Sequence, residues 1–329
     1  MLAKRICDAP EIYLIEVPFK NICTHATNCY LLRSGDDSLL VDTGAWSEEG
    51  AEVLLSAIDE IGIDRSRMQC FLTHLHLDHA GLVDQAVLPD QPVFLSLKDY
   101  DATCRPQTTS SFASMRDKFL HDGVLTADAS AFARFSLEPQ PFDPDAHEIR
   151  YVEDDDTITV GDCHLRVVAT PGHTCGHLSL FEPQSGILFG GDHILYVMSP
   201  GIGLSLDDDN AMRLYLASLQ KVRDLGMQRL LVAHGPERDD FIERIDWLRA
   251  HHEERLKEAY DIVCKQPGIT ASAAIKKIKW NVPFQNWEDI SLIQRWCIMV
   301  EGGTIMDYLL ETGHVRKELA YGHDEYFPI

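Results

Sequence analysis

THLHLDHAG, residues Thr73–Gly81, places three histidines and an aspartate within six positions, His74 to His79. The preceding residues, QCFL, read as a short apolar strand, so the stretch is a strand that runs off its end into a turn. Alternate residues of an extended chain share a side. His74 and His76 are therefore expected to point the same way, and the turn brings Asp78 and His79 to the same place. In a chain of this composition H-x-H-x-D-H arises by chance roughly once in a few hundred sequences. Imidazole and carboxylate are the usual ligands of Zn²⁺, and of Fe²⁺ or Mn²⁺ as well.

The same arrangement recurs further along. His173 follows VVATPG, Asp192 follows ILFGG and His234 follows LLVA. Each comes after an apolar run and lies beside or near a glycine, which lets the backbone turn sharply and approach closely. Five histidines and two aspartates at strand ends suffice for two metal sites that share a carboxylate.

The bulk properties narrow the setting. The chain has 329 residues, 45% of them hydrophobic and 25% charged, which allows one large domain and a smaller one. The net charge of −23 repels nucleic acid and anionic membranes at long range. No apolar run reaches the roughly 18 residues of a membrane span, and the N-terminal MLAKRICDAPEIYLIEV lacks the apolar segment of a signal peptide. The nine cysteines are odd in number and scattered, with no C-x-x-C, and read as reduced thiols. A cytoplasmic location is the expectation.

The first 45 or so residues read as short strands, followed by a helix that Ser47 caps and that buries Leu54, Leu55, Ile58 and Ile61. Residues 97–150 are polar with scattered Phe112, Met115, Phe119 and Phe135, and read as helices and loops inserted between strands. These apolar residues are expected either to close over the metal cleft as a lid or to pack on the tail. DTITVGDCHLRVVATPGH reads as a hairpin turning at Gly161–Asp162. Little strict βαβ alternation is visible, so two mainly antiparallel sheets facing each other are expected, with helices outside. From Asp240 the pattern turns helical and ends in a candidate hairpin, HVRKELAYGHDEYFPI.

Taken together, LLVDTG, THLHLDHAG, TPGHTCGHLSL, GGDHIL and VAHGP resemble the metallo-β-lactamase superfamily over about residues 10–240. The resemblance implies an α/β fold, an αβ/βα sandwich, spanning residues 1–240 with the 97–150 insertion. It also implies two divalent transition metal ions, zinc first, with iron or manganese as alternatives. On this reading His74, His76 and His173 hold one ion, and Asp78, His79 and His234 hold the other. Asp192 bridges the two, and Asp42 orients ligands from below. Asp78 doubles as a proton acceptor. His177, His193 and Tyr196 are candidate substrate contacts. Residues 241–329 resemble the winged-helix module appended to some members.

Two ions that share a hydroxide suit hydrolysis of thioesters, lactones, amides or phosphodiesters. Flavin-linked diiron members carry Glu where His76 stands, and this chain does not. The pattern is most similar to the glyoxalase II type and its thioesterase relatives, so a small acyl thioester or related ester is the expected substrate. A phosphodiesterase or endoribonuclease, or a lactonase, is the alternative. The helix expected from Trp287 to Thr312 offers one Arg295 against five acids, so no nucleic-acid partner is expected. Its apolar face is expected to pack on the catalytic domain or on the second subunit of a homodimer.

Overall fold

The computed structural model describes the whole chain except residues 1, 21–23, 105–108, 138, 204–209 and 283–285. Two compact units emerge. The first comprises 1–105, 139–200 and 218–245; the second comprises 106–138, 201–217 and 246–329.

The first unit holds a seven-stranded sheet in sequential order. Its strands are β1 (Ala3–Asp8), β2 (Glu11–Pro18), β3 (Ala26–Ser34), β4 (Asp37–Val41), β5 (Met68–Phe71), β6 (Pro92–Leu95) and β7 (Glu148–Tyr151). β1 to β4 pair antiparallel, whereas β4 to β7 pair parallel. The expectation of mainly antiparallel sheets is thus corrected for half of this one. Parallel neighbours need a crossover, and α1 (Glu48–Ile61) supplies the first of them. The Ser47 side chain caps α1 by accepting the Gly50 N–H, and Gly62 ends it at φ +78°. Short helices α2 (Leu77–Ala80), α3 (Val83–Ala86) and α4 (Leu97–Thr103) follow.

A second sheet has the order β12-β11-β10-β9-β8. Its strands are β8 (Thr157–Val160), β9 (Cys163–Ala169), β10 (Leu178–Glu182), β11 (Ile187–Phe189) and β12 (Arg229–Leu231). β8 and β9 turn through Gly161–Asp162 as expected, and only β11 and β12 are parallel. Alternation along the strands divides the core in two. Leu31, Leu40 and Cys70 pack with Leu54, Ile58 and Val83 of the helices. Their neighbours Leu32, Leu39 and Phe71 pack with Val167, Leu180 and Phe189 of the second sheet. Each of these strands of the first sheet therefore buries both faces, which explains its continuous apolar sequence.

The second unit contains α5 (Thr109–His121) and α6 (Thr126–Phe135). Helices α7 (Ala211–Arg223) and α8 (Phe241–Lys265) run across the boundaries between units. α9 (Ala271–Ile275) and α10 (Leu292–Glu311) complete its helices. Its small sheet has the order β13-β15-β14, from β13 (Ile269–Thr270), β14 (Val315–Ala320) and β15 (His323–Pro328). The terminal hairpin is as expected. Residues 106–138, which the sequence places with the first domain, join this unit because their apolar side chains find cover on the tail. Met115 and Phe119 are buried, with Phe119 edge-on to Phe132. Phe135 lies against Trp296, whose Nε1–H donates to Ser136 Oγ at 2.8 Å. Phe135 thus packs on the tail. The apolar face of α10 is likewise used inside its own unit, against α6, α9 and β14. Among the described residues no helix is long and apolar enough to cross a membrane.

Lys118 of α5 reaches α10 by donating to Asp307 at 2.9 Å, and Lys317 of β14 donates to Asp324 at 2.7 Å. Asp122 is buried among these four groups and near Tyr326. Burial pushes its carboxyl up to about 6, against the opposing pull of Lys118. The folded-state value lies above the unfolded one, so its contribution to stability is complete below pH 4 and is lost as pH rises through 6. Asp122→Asn is expected to stabilise the protein at pH 7.5, by up to about 3 kcal/mol, and to have no effect near pH 4. Denaturant melts at the two pH values measure this; equal effects at both would refute the assignment.

Candidate metal centre

The donors come from the carboxyl ends of strands. β4 ends at Val41 and is followed by Asp42. His74 and His76 follow β5, and Asp78 and His79 lie on α2. His173 follows β9, Asp192 follows β11 and His234 follows β12. His76 and Asp78 are not on the strand itself, which stops at Phe71. His76 is the residue before α2, extended at φ −64°, ψ 150°.

Asp42 is buried and adopts a left-handed conformation at φ +58°, which Asp tolerates better than most residues. Its Oδ1 accepts the Thr73 N–H at 2.8 Å. Its Oδ2 accepts the Thr73 hydroxyl and the His79 Nδ1–H, each at 2.9 Å. A carboxylate only accepts, so His79 must carry its proton on Nδ1 and turn the Nε2 lone pair inward. Thr73, having given its proton to Asp42, accepts from His74 Nδ1 at 3.0 Å, which turns the His74 Nε2 lone pair inward too. His234 Nδ1–H donates to Ala26 O at 2.9 Å, with the same result.

The inward atoms converge. His74 Nε2 lies 2.9 Å from His76 Nδ1, and His173 Nε2 lies 3.0 Å from that same His76 atom. His79 Nε2 and His234 Nε2 stand 3.3 Å apart. Asp78 Oδ2 is 3.5 Å from His234 Nε2. Asp192 lies between the groups, with Oδ1 3.4 Å from His234 and 3.6 Å from His79, and Oδ2 3.7 Å from His173. Three ligand-competent clusters result: His74–His76–His173, His74–His79–Asp192 and Asp78–His79–His234.

This donor set fits cations. The Nε2 atoms of His79 and His234 are both acceptors in the neutral rings, and two lone pairs at that separation repel unless a positive charge lies with them. The buried Asp192 Oδ1 accepts no hydrogen bond among the described residues. The electrostatics agree. Burial disfavours charge on His234, yet Asp192, Asp78 and the Ala26 carbonyl outweigh it and raise the imidazole to about 9. Burial works against ionisation of Asp78, but His79, His234 and His76 hold its carboxyl well below the usual range. Burial and the neighbouring imidazoles push His74 well below its ordinary value. Attraction for positive charge is thus concentrated on the Asp78–His79–His234 side.

The sequence pattern of the metallo-beta-lactamase superfamily matches residues 24–234, well over half of the chain. The chain belongs to this superfamily. It is similar to the beta-lactamase-like protein 2 homolog of Caenorhabditis elegans, at 27% identity over 78% of this chain and 72% of that one. A probable metallo-hydrolase of Bacillus subtilis is 26% identical over 66% of this chain and 89% of its own. The solved structure of a metallo-beta-lactamase family protein from Thermus thermophilus matches with a TM-score of 0.74. That likeness has 25% identity and covers 97% of this chain and 98% of the other. Membership makes the chain a metal-dependent hydrolase.

Within this metallo-beta-lactamase fold two sequence expectations change. His177 and His193 are fully buried, so neither sits where a substrate could touch it. His177 Nε2 accepts the Asp192 N–H at 3.1 Å while its Nδ1–H donates to Thr170 Oγ1 at 2.8 Å, so it holds Asp192 in place. Gly191, at φ +53°, permits this approach; a Cβ there would stand 2.7 Å from His177 Nε2. Burial pushes His193 down to about 3, a neutral ring at ordinary pH. The Tyr196 hydroxyl donates to Arg238 O at 3.2 Å, and the Arg238 guanidinium lies over its ring.

The sequence reading also missed supports. Thr43 N–H and its hydroxyl both reach His79 O, at 2.7 and 2.9 Å. The Asn28 amide donates to Val232 O and Gly235 O, at 2.9 and 2.8 Å, on either side of His234. These are long-range contacts of ordinary polar residues, and no local spacing announces them.

Asp42→Asn is expected to fold, since Asn tolerates the left-handed region. Whichever way the amide turns, its NH₂ meets the Thr73 N–H or the His79 Nδ1–H. Cation affinity of the Asp78–His79–His234 group should fall roughly 10–100-fold. Elemental analysis with circular dichroism checks this; a folded variant with unchanged metal affinity would show that the tautomer argument fails.

Proposed function

We propose that the protein is a hydrolase with a dinuclear metal centre acting on a small acyl thioester or related ester. The observation that carries the metal reading is the inward convergence of three oriented imidazole lone pairs on Asp192, whose Oδ1 accepts no hydrogen bond among the described residues. His74, His76 and His173 would hold one cation, and Asp78, His79 and His234 the other, with Asp192 shared. The cations, zinc first, would act as Lewis acids toward an ester carbonyl and an attacking water. Asp78 would accept the proton of that water at its carboxylate, which keeps 20% of its side chain exposed.

The surroundings support an acyl substrate. Exposed apolar side chains sit on the segments that deliver the donors. Leu77 stands between His76 and Asp78, and Trp46 follows the Asp42–Thr43–Gly44 turn. Val197 packs on Gly235 beside His234. Apolar contacts of this kind suit an acyl group better than a sugar-phosphate chain. The net charge of −23 points the same way.

The C-terminal unit, read as winged-helix-like from α9, α10 and the β14–β15 hairpin, is proposed not to bind nucleic acid. Arg295, the one arginine of α10, is taken up by Asp128 at 3.2 Å. Cytoplasmic localisation and a homodimer belong to the same proposal.

Purified protein is expected to carry two equivalents of transition metal per chain. Asp192→Asn should lower turnover by about 10²-fold or more with the fold intact. In a panel of acyl thioesters, lactones and bis-nitrophenyl phosphate, thioesters should give the highest kcat/KM. Faster phosphodiester turnover, together with salt-sensitive RNA binding tighter than micromolar, would replace this reading with the nuclease one.

A further inference from the structure

Asp99 lies in the third position of α4, three residues after Ser96. The spacing S-x-x-D ordinarily makes a capping box, in which the acid reaches back to the cap's own N–H. Here Ser96 Oγ instead accepts the Lys98 N–H at 3.2 Å. The Asp99 carboxylate is directed elsewhere, although its side chain is buried in a helix of seven residues.

Both oxygens go to the loop that carries His173. Asp99 Oδ2 accepts the Thr174 hydroxyl at 2.8 Å, and Oδ1 accepts the Gly176 N–H at 2.6 Å. The Cys175 thiol lies 3.7 Å from Oδ1. Gly176 is what lets α4 come so near: a Cβ there would stand 2.4 Å from Ser96 Oγ and 2.6 Å from Asp99 N. The base of the loop is closed by the Thr170 N–H on His177 O at 2.9 Å, and Ser218 Oγ donates to Pro171 O at 2.9 Å. The stretch after His173 is then fixed by Asp99.

We propose that Asp99 is a positioning residue for the metal centre, setting where His173 Nε2 stands by holding Thr174 and Gly176. The inference rests on the metal reading above. Asp99 belongs to none of the ligand-competent clusters among the described residues, so it acts through His173 and not on a cation directly. A loop released on one side would let the imidazole leave His76, its neighbour at 3.0 Å. Misplacing a ligand through the residue that supports it typically lowers metal affinity by about 10–100-fold.

The test is zinc binding by the full chain, measured by elemental analysis and by competition with a chromophoric chelator. The variants are Asp99→Ala, Asp99→Asn and Thr174→Val. Wild type is expected to bind two zinc ions. Asp99→Ala should weaken one of them roughly 10–100-fold and leave the other unchanged. Asp99→Asn should restore wild-type affinity, because its carbonyl accepts the Gly176 N–H and its NH₂ donates to Thr174 Oγ1. Thr174→Val, which removes one tie of the two, should fall between. Unchanged affinity in Asp99→Ala overturns the proposal, as does Asp99→Asn weakened as much as the alanine variant, which would make charge and not position the cause. If Asp99→Ala does not fold, Thr174→Val decides, and wild-type affinity there overturns it. A wild type that binds two ions while the variants are unaffected sinks this inference alone; a wild type that binds none sinks the metal reading as well.

Discussion

One buried carboxylate organises both halves of the centre. Asp42 accepts three hydrogen bonds: from the Thr73 N–H, the Thr73 hydroxyl and the His79 Nδ1–H. Through Thr73 it sets the tautomer of His74, and directly it sets that of His79. Each of the three ligand-competent clusters contains His74, His79 or both, so a single side chain orients a donor in all of them. Its position follows from the fold. β4 and β5 are parallel neighbours, and Val41 pairs with Phe71, so the residues after them emerge side by side. The left-handed turn at Asp42 then directs its side chain under the histidine loop.

The remaining donors depend on the same edge geometry. β5, β9, β11 and β12 all lead their carboxyl ends into the loops that hold histidine or aspartate. β5 is packed between helices on one side and the opposing sheet on the other, and β9, β11 and β12 turn apolar residues toward the first sheet. That division gives a rigid frame with functional groups on short loops, where neighbouring residues such as His177, Asn28 and Thr43 fix each loop by hydrogen bonds. Buried polar groups with complete hydrogen bonding hold one arrangement more strictly than apolar contacts would. The donors are therefore held in place by the protein itself, which is what makes the lone pairs of His79 and His234 face each other.

The second unit shows how the acidic character of the chain is accommodated. Lys118, Arg295 and Lys317 are each matched to a carboxylate within the unit, and Arg255 pairs with Glu301 inside the α8–α10 contact. These four pairs join α5, α6 and α8 to α10 and tie β14 to β15.

The sequence by itself marked the histidine–aspartate cluster, the strand-end placement of its members and the superfamily. These are local facts: three histidines and an aspartate in six residues, and apolar runs ending in Gly, Asp or His. It also marked the Ser47 cap and the Gly161–Asp162 turn, because caps and tight turns are set by neighbours in the chain. Tertiary structure alone decided the rest. The parallel pairing of β4 to β7 depends on crossovers whose routes leave no mark in the periodicity. Residues 106–138 joined the tail because Phe135 lies against Trp296, whose Nε1–H donates to Ser136 Oγ across 160 positions of the chain. His177 and Asp99 look, respectively, like a substrate contact and a capping residue when read locally. Their roles come from partners at residues 192, 174 and 176, and a hydrogen bond across 15 or 77 positions has no signature in spacing.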